Sequence, residues 1–393
     1  MNGRRPFMLL REIWIKNLLS FGPNGLTLPL RPLNVLIGPN GSGKSNFIEA
    51  IGLLQSAPQM LASPVRDGGG IGDWLWKGER NPTAHLEVIV DNPVGEMPLR
   101  HSLDFTQTNQ RFELVDEQIE NESAYPGYDE PYFYYRFQNG RPVLNRSGDK
   151  RVLRREDIDP EKSILSQRKD PDQYPEITYL GEQYDRIRIY REWSFGRYTP
   201  PRRPQKPDQR NDFLEENCSN LGLMLNRLRR DVAAKSRLRE MLAQLYPDIQ
   251  DFDVIIEGGS VQVLLHESRF SIPATRLSDG TLRYLCLLVL LCQPSPPPLL
   301  CIEEPELGLH PDAIVGIGEL LKEASTRTQL IVTTHSEVLV DSLSPSPEDL
   351  VVCEKQNGES TMRRLERPAF AEWLKTYSLG QLWSRGEIGG NRW

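Results

Sequence analysis

The chain has 393 residues, of which 38% are hydrophobic and 26% charged, a composition typical of a soluble globular protein with one large domain or a few smaller ones. A formal net charge of −7 excludes a global basic field, so any contact with DNA requires a local basic patch. The chain opens without a signal-peptide pattern, and its longest apolar run, 285–292, is too short to cross a membrane. We therefore expect a cytoplasmic protein without a membrane partner. Its five cysteines lack C-x-x-C spacing, which indicates reduced core residues.

The first quarter of the chain is predicted to place strands on either side of a glycine-rich loop. Residues 11–22 alternate as a strand does, and 32–38 form an apolar run typical of a buried strand. The loop GPNGSGKSN follows directly, and 46–55 have helical spacing. Antiparallel strands are predicted at 84–91 and 98–105.

The middle of the chain is polar and aromatic. Residues 106–176 indicate an inserted, variable region with a strand at 130–137. Two more strands are predicted from ITYL (177–180) and IRIYREW (187–193), before a proline- and charge-rich loop at 199–212.

The rest of the chain returns to regular apolar patterns. One helix is predicted over 219–245, with Ser219 or Asn220 as its cap, and 253–267 indicate two strands around a glycine turn. Later elements are a helix after the turn at 278–281, strands at 299–304 and 329–336, and a helix at 312–324. The last fifty or so residues indicate a strand, a short amphipathic helix and a glycine-rich tail.

The sequence GPNGSGKS at 38–45 matches the P-loop pattern G-x-x-x-x-G-K-[ST] in full. Gly38, Gly41 and Gly43 let the backbone curl so that its N–H groups point at phosphate. Lys44 would reach the β- and γ-phosphates of ATP, and Ser45 would give a hydroxyl to Mg²⁺. The alternative is a glycine-rich turn without a ligand, but the buried strand before it and the helix after it favour a nucleotide site. The predicted nucleotide-binding residues here are Gly38, Pro39, Asn40, Gly41, Ser42, Gly43, Lys44, Ser45 and Asn46.

Two adjacent carboxylates, Glu303 and Glu304, follow a buried strand in CIEEPELGLHP (301–311). Such a pair is costly unless it holds a cation or a proton. Because ligands bind at the carboxyl ends of parallel strands, we predict that Glu303 binds Mg²⁺, directly or through water. Glu304 would then polarise the attacking water. The alternative is that both carboxylates cap the helix that follows Pro305.

Two further polar segments complete the candidate residues. In TRLSDGTLRYL (275–285), Ser278 and Gly280 open an apolar helix, and a helix N-terminus of this kind can bind an anion or can simply be capped. His335 follows the strand predicted to neighbour Glu303 and Glu304. It is a candidate for contact with the γ-phosphate, and the alternative is a structural histidine.

These segments, in this order, resemble the motifs of an ATP-binding-cassette (ABC) ATPase: Walker A, signature, Walker B, D-loop (about 307–311) and switch histidine. The phrases EEPELGLHP and LSDGTLRYL are similar to the branch that contains RecF, the SMC proteins and the OLD-type ATPases. The resemblance covers residues 9–60 and 270–345. It implies an α/β P-loop fold with a mixed sheet, an antiparallel β subregion and a helical lobe that carries the signature motif.

The resemblance also implies how ATP is used. Two protomers would enclose two ATP molecules head to tail, so that Ser278 and Gly280 of one protomer contact the nucleotide of the other. Glu303 stands where the family has an aspartate, and Asp279 replaces the first glycine of the signature pair. Asp279 would add negative charge near phosphate unless its side chain turns outward. No Q-loop is identifiable, because Gln55 lies too early.

The predicted organisation has four segments. They are the P-loop lobe at 1–105, the variable insertion at 106–212, a helical and hairpin part at 213–270, and the C-terminal half of the ATPase at 271–393.

Two basic clusters are candidates for DNA contact, and the alternative for both is a solvated, charge-balanced face. The first comprises Arg186, Arg188, Arg191, Arg197, Arg202, Arg203, Lys206 and Arg210. The second comprises Arg227, Arg229, Arg230, Lys235, Arg237 and Arg239.

The resemblance favours a homodimeric ATPase that senses or clamps double-stranded DNA. It would control a separately encoded effector nuclease, for instance of the Toprim type, in prokaryotic anti-phage defence. The chain itself carries neither the long heptads of an SMC arm nor the metal-binding pattern of a Toprim domain. The alternatives are a RecF-like DNA repair ATPase, a transporter's nucleotide-binding subunit and a scaffold with a degenerate ATPase.

Overall fold

The computed structural model describes residues 8–93, 95–138, 141–146, 149–152 and 159–390. By its internal contacts the chain separates into two compact units. The described residues of the first, the P-loop unit, lie within 8–187, 351–365 and 389–390. The second, the carboxylate unit, comprises 188–350 and 366–388. The predicted segment 106–212 contains residues of both units.

The secondary structure alternates between strands and helices along the chain. The strands are β1 (Leu10–Lys16), β2 (Leu26–Pro29), β3 (Leu33–Ile37), β4 (Ala84–Val90), β5 (Leu99–Thr108), β6 (Arg111–Asn121), β7 (Phe133–Gln138), β8 (Arg141–Arg146), β9 (Asp149–Val152), β10 (Arg188–Tyr190), β11 (Ile249–Glu257), β12 (Ser260–Glu267), β13 (Ser271–Pro273), β14 (Leu299–Glu303), β15 (Gln329–Thr333), β16 (Leu350–Gln356) and β17 (Glu359–Arg364). The helices are α1 (Lys44–Ser56), α2 (Ser63–Asp67), α3 (Ile71–Trp74), α4 (Ile164–Gln167), α5 (Pro175–Asp185), α6 (Leu221–Leu228), α7 (Val232–Leu245), α8 (Asp279–Cys292), α9 (Pro311–Ala324), α10 (Glu337–Ser342), α11 (Arg367–Phe370) and α12 (Leu379–Ser384).

The P-loop unit contains a long antiparallel sheet with the strand order β2–β1–β4–β5–β6–β7–β8–β9. Its strands alternate between buried and more exposed side chains, as β5 does, because one face covers the core. In a second sheet, β3 lies beside β16, and β16 pairs antiparallel with β17. All five residues of β3 are buried, which fixes the start of the loop that follows it. The predicted segment boundary at 105/106 falls inside β5.

The carboxylate unit is built on three parallel strands, β10, β14 and β15. Their pairing brings Tyr190, Glu303 and Thr333 to the same edge of the sheet. Helix α8 is buried at every position from Thr281 to Cys292, so it forms the centre of this unit rather than an amphipathic surface helix. Helices α6 and α7 and the sheet of β11, β12 and β13 complete the lobe that carries the signature segment.

Most of the predicted elements are observed, but the ITYL segment is not a strand. It lies in α5, which begins with a proline in its first turn. Ile177, Leu180 and Tyr184 are its buried face, at the i, i+3, i+7 spacing of a helix. The four residues ITYL are too few to show that period.

The single helix predicted over 219–245 is also wrong, since α6 ends at Leu228 and α7 begins at Val232. Asp231 makes the break, because its carboxylate accepts a hydrogen bond from the N–H of Ala234 at 2.8 Å and caps α7. Asn220 precedes α6 but does not cap it with its side chain. That amide instead accepts from the N–H of Glu215 and donates to the carbonyl of Phe213.

The strand predicted near the C-terminus is a hairpin of β16 and β17. Asn357 and Gly358 both have positive φ, 51° and 90°, as a tight two-residue turn requires. All five cysteines are buried and unpaired, as predicted. Among the residues described, no helix has both the length and the apolar character that crossing a bilayer demands.

Candidate functional site

The P-loop backbone adopts conformations that only glycine tolerates at two points. Gly43 has φ +100°, and a Cβ there would lie 2.2 Å from the Ser360 hydroxyl oxygen. A Cβ on Gly38 would lie 2.1 Å from the carbonyl oxygen of Cys353. The strand β3, the loop and α1 therefore follow one another as predicted, with Gly43 as the residue that precedes the helix.

Lys44 places its charge inside the loop. Its side chain is buried, and Nζ donates to the carbonyl oxygens of Gly38 at 2.7 Å and Pro39 at 3.1 Å. Helix α1 has no acidic residue in its first turn and no side-chain cap. The positive end of its helix dipole is therefore not offset by a local side chain and can bind an anion.

The remaining polar groups of the loop are of the kinds that bind phosphate. Ser42 Oγ is buried and makes no hydrogen bond to any residue that the structure describes, so it is a candidate donor to phosphate. Ser45 and Asn40 are exposed, whereas Asn46 donates to the hydroxyl of Ser20 at 2.7 Å. These groups suit a polyphosphate, and we find no mismatch in the loop.

No group of three or more His, Cys, Asp or Glu side chains in the described ranges is arranged to hold a metal ion.

Glu303 is the last residue of β14, and its carboxylate pairs with Arg191, whose guanidinium lies 3.1 Å from Oε1. The indole N–H of Trp193 donates to the Glu303 carbonyl at 3.0 Å. The segment after β10 therefore holds both the side chain and the backbone of Glu303. Arg191 and Trp193 could not be predicted from the sequence as partners of Glu303, because they lie more than a hundred positions earlier.

Glu304 has a strained backbone. Its φ of +44° is uncommon for a residue with a side chain and costs about 1–2 kcal/mol. Two hydrogen bonds hold this conformation: its N–H donates to the Thr333 carbonyl at 3.0 Å, and its carbonyl accepts from Arg283 at 2.8 Å. Burial lowers the pKa of Arg283 to about 10, and the carboxylates of Glu306 and Glu304 oppose that shift. The Glu304 side chain is 42% exposed, so its carboxylate can meet water.

His335 lies next to the Glu304 carboxylate, with 3.7 Å between Nε2 and Oε1. The structure thus brings together Glu303, Glu304 and His335 as predicted from strand order.

Glu306 is a residue that the sequence interpretation missed. Its Oε1 accepts from the Thr334 hydroxyl at 2.6 Å and from the N–H of His335 at 2.8 Å. Its position as the third carboxylate of EEPE was the available signal.

The signature segment is a capped helix start. Ser278 precedes α8, and its hydroxyl accepts from the N–H of Thr281 at 3.0 Å. A Cβ on Gly280 would lie 2.9 Å from the carbonyl oxygen of Gly308, so glycine allows the 307–311 loop to approach α8. The capping alternative is therefore correct for the isolated chain, and contact with a second protomer's nucleotide stays a prediction.

The first basic cluster does not form a continuous surface. Arg188 and Arg202 are buried, and Arg188 stacks on Phe213 with 3.6 Å to the ring centroid. Arg191 pairs with Glu303, and Arg210 pairs with Asp212 at 2.9 Å. The guanidinium groups of these four arginines all contact the protein itself, and DNA contact by the first cluster stays a prediction.

The geometry defines a class of protein. A strand, a glycine loop around a buried lysine and a helix stand in one unit. Parallel strands that end in Glu303, Glu304 and the His335 segment stand in the other. This combination is that of a P-loop ATPase of the ABC type.

The chain belongs to the family described as "AAA domain, putative AbiEii toxin, Type IV TA system", whose model matches residues 33–341. No curated protein matches the sequence. Solved structures of SMC heads share the fold. One is an SMC head bound to the C-winged helix domain of ScpA, with a TM-score of 0.60, 16% identity, and coverage of 92% of this chain and 99% of that one.

Another is the Pyrococcus furiosus Smc head with an extended coiled coil, bound to the C-terminal domain of ScpA. It matches with a TM-score of 0.60 and 14% identity over 93% of this chain and 98% of that one. Identities this low show the fold alone. The predicted ABC and SMC-like resemblance and the predicted fold class are confirmed.

Proposed function

We propose that the protein is an ATP-dependent molecular switch that binds ATP with Mg²⁺, dimerises around the nucleotide and separates after hydrolysis. The observation that carries the proposal is the buried Lys44 ammonium inside the loop that opens α1. An ammonium held by two carbonyls can exchange those contacts for phosphate oxygens without moving far.

The P-loop residues bind and orient the triphosphate. Backbone N–H groups between Gly41 and Ser45 would bind the β-phosphate, Lys44 would neutralise the β- and γ-phosphates, and Ser42 Oγ would gain a hydrogen-bond partner. Ser45 would hold Mg²⁺, which when bound neutralises charge that develops on the phosphates.

The residues after β14 and β15 perform the chemistry. The Glu304 carboxylate would accept the proton of the attacking water, and the hydrogen-bonded backbone fixes the point from which that side chain extends. His335 would contact the γ-phosphate while Glu306 holds its N–H. Glu303 would help to hold Mg²⁺, and its carboxylate also pairs with Arg191.

The signature segment completes the site of a partner protomer. Ser278 and the backbone of Gly280 would contact the γ-phosphate that the other P-loop holds. ATP binding would then drive formation of the interface, and loss of the γ-phosphate would release it.

The second basic cluster is the surface that we propose for double-stranded DNA. Arg229 and Lys235 line two neighbouring cavities of about 880 Å³ and 480 Å³ beside α7 and β11. Arg239 lines the larger cavity, and Arg230 and Phe252 line the smaller one. Asp251 and Asp253 offset part of this charge through ion pairs, so affinity would be moderate and sensitive to salt.

The wider role that we propose is control of a separately encoded effector nuclease in prokaryotic anti-phage defence, in the cytoplasm. The family description names a toxin and a toxin–antitoxin system, which supports an ATPase that acts beside a second gene product. A RecF-like role in DNA repair is the second candidate, and it would use the same DNA surface.

Steady-state ATP hydrolysis with and without linear double-stranded DNA tests the proposal. The wild type should hydrolyse ATP, and Lys44→Ala should bind none, because the positive charge inside the loop is lost. Lys77→Ala, which removes an exposed lysine of the same unit, is the control. Tight ATP binding by Lys44→Ala would refute the assignment of the P-loop.

A further inference from the structure

Asp279 is an unusual residue for a segment that meets phosphate. It stands in the first turn of α8, directly after Ser278. Its side chain is 67% exposed, so the carboxylate can face an approaching phosphate group. A carboxylate beside a triphosphate would repel it, and the repulsion between two unit charges about 4 Å apart is about 1 kcal/mol even in bulk water. A compensating feature is therefore required.

The compensating feature is Arg202. Its guanidinium pairs with the Asp279 carboxylate, although the two residues are far apart in sequence. Arg202 is buried, with 7% of its surface exposed, in the loop after β10. The other N–H groups donate to three carbonyls: that of Phe195 at 3.0 and 3.2 Å, that of Ala274 at 3.4 Å, and that of Leu277. Every donor of the guanidinium is thus engaged.

This arrangement fixes both the charge and the shape of the turn. A buried guanidinium is costly without an anion, and Asp279 is the anion that pairs with it. Because Arg202 also holds the carbonyls of Ala274 and Leu277, the backbone that leads into Ser278 has one conformation. Because the Arg202–Asp279 pair is locally neutral, Ser278 and the N-terminus of α8 can face an anion without repulsion from Asp279.

We propose that Arg202 is a positioning residue of the signature segment, which neutralises Asp279 so that Ser278 and Gly280 can approach the triphosphate of a partner protomer. This inference rests on the proposed function. It assigns Arg202 a role in ATP-dependent dimerisation and turnover, and none in nucleotide binding by a single protomer.

The test is a charge-rescue comparison of Arg202→Met with Arg202→Met/Asp279→Asn, followed by kcat, KM for ATP and fluorescent-nucleotide binding. Arg202→Met should lower kcat about fivefold, since the unpaired Asp279 then opposes the γ-phosphate. Nucleotide binding to the monomer should not change. Adding Asp279→Asn should restore kcat to within about twofold of wild type, and raising the salt concentration should partly restore the single variant.

Arg210→Met, which breaks another arginine–aspartate pair of the same unit, is the control for loss of an ion pair. If Arg202→Met does not fold, Arg202→Gln carries the same comparison, because it removes the cation but keeps a hydrogen-bond donor for the neighbouring carbonyls. A defect that Asp279→Asn leaves unrepaired in either background would overturn the inference. An inactive wild type would instead refute the proposed function, and the inference with it.

Discussion

At the scale of single residues, the central feature is Glu304. Its positive φ is held by Thr333 on one side and Arg283 on the other. Strain of this kind persists only where surrounding bonds over-determine it, and such positions cluster at functional sites. The neighbouring His335 and the half-exposed carboxylate support the proposal that Glu304 is the general base.

Replacing Glu304 with glutamine tests that role. The amide cannot accept the proton of the attacking water, so we expect the single-turnover hydrolysis rate to fall about 10²- to 10⁴-fold. ATP affinity should stay within about threefold, because the P-loop is untouched. Asp312→Asn, at an exposed carboxylate in the following helix, is the control and should hydrolyse normally. A Glu304→Gln variant with wild-type turnover would remove Glu304 from the mechanism.

The residues that the sequence identified are those with local motifs. Lys44 and Ser45 follow from spacing alone, and Glu304 follows from the strand before it. Arg191, Arg202 and Arg283 could not be assigned, because their partners lie far away in sequence and their charges predict a surface as readily as a buried contact. Only the folded chain distinguishes the two.

At the scale of secondary-structure elements, apolar runs were the most informative signal. β3, β14 and β15 are buried at nearly every position, and an uninterrupted apolar run between polar turns indicates such a strand. The break before α7 could have been predicted, since Asp231 is a good cap. The helical period of α5 extends over the whole helix, in which charged and apolar residues are mixed, so a segment of four residues does not show it.

Asp116, in the antiparallel sheet of the P-loop unit, has a carboxyl group that lowers the stability of the folded state when it is ionised. Burial, and next the Asp104 carboxylate on the neighbouring strand, raise the pKa of Asp116 in β6 from 3.8 to about 6. The folded state thus binds a proton more tightly than the unfolded chain does. The contribution of Asp116 to the free energy of unfolding is most favourable below about pH 4 and is lost as pH rises through about 6.

We therefore expect Asp116→Asn to raise the melting temperature at about pH 7.5 and to change it much less at about pH 4.5. The variant removes the charge that the folded state tolerates poorly. Glu113→Gln, on the same strand, is the control. Thermal melts at the two pH values measure the effect, and an equal shift at both would contradict the assigned cause.

At the scale of the whole molecule, the proposal makes α7 and β11 the DNA surface. Reversing charge at Arg229 and Lys235 together should weaken binding to duplex DNA and reduce the slope of log affinity against log salt by about two. Fluorescence anisotropy at several salt concentrations measures both. The matched control reverses Arg197 and Arg203, which flank the exposed ring of Tyr198. Loss of binding in the control alone would move the DNA surface to that loop.

The proposed mechanism depends above all on the two-protomer cycle. Sedimentation velocity of Glu304→Gln at saturating ATP and Mg²⁺ measures this dimerisation, with Glu304→Gln/Ser278→Arg as the matched comparison. We expect a stable dimer for the first protein, because ATP binds but is not hydrolysed. We expect a monomer with intact ATP binding for the second, because arginine blocks the signature segment. A Glu304→Gln protein that binds ATP and remains monomeric would refute the two-protomer cycle.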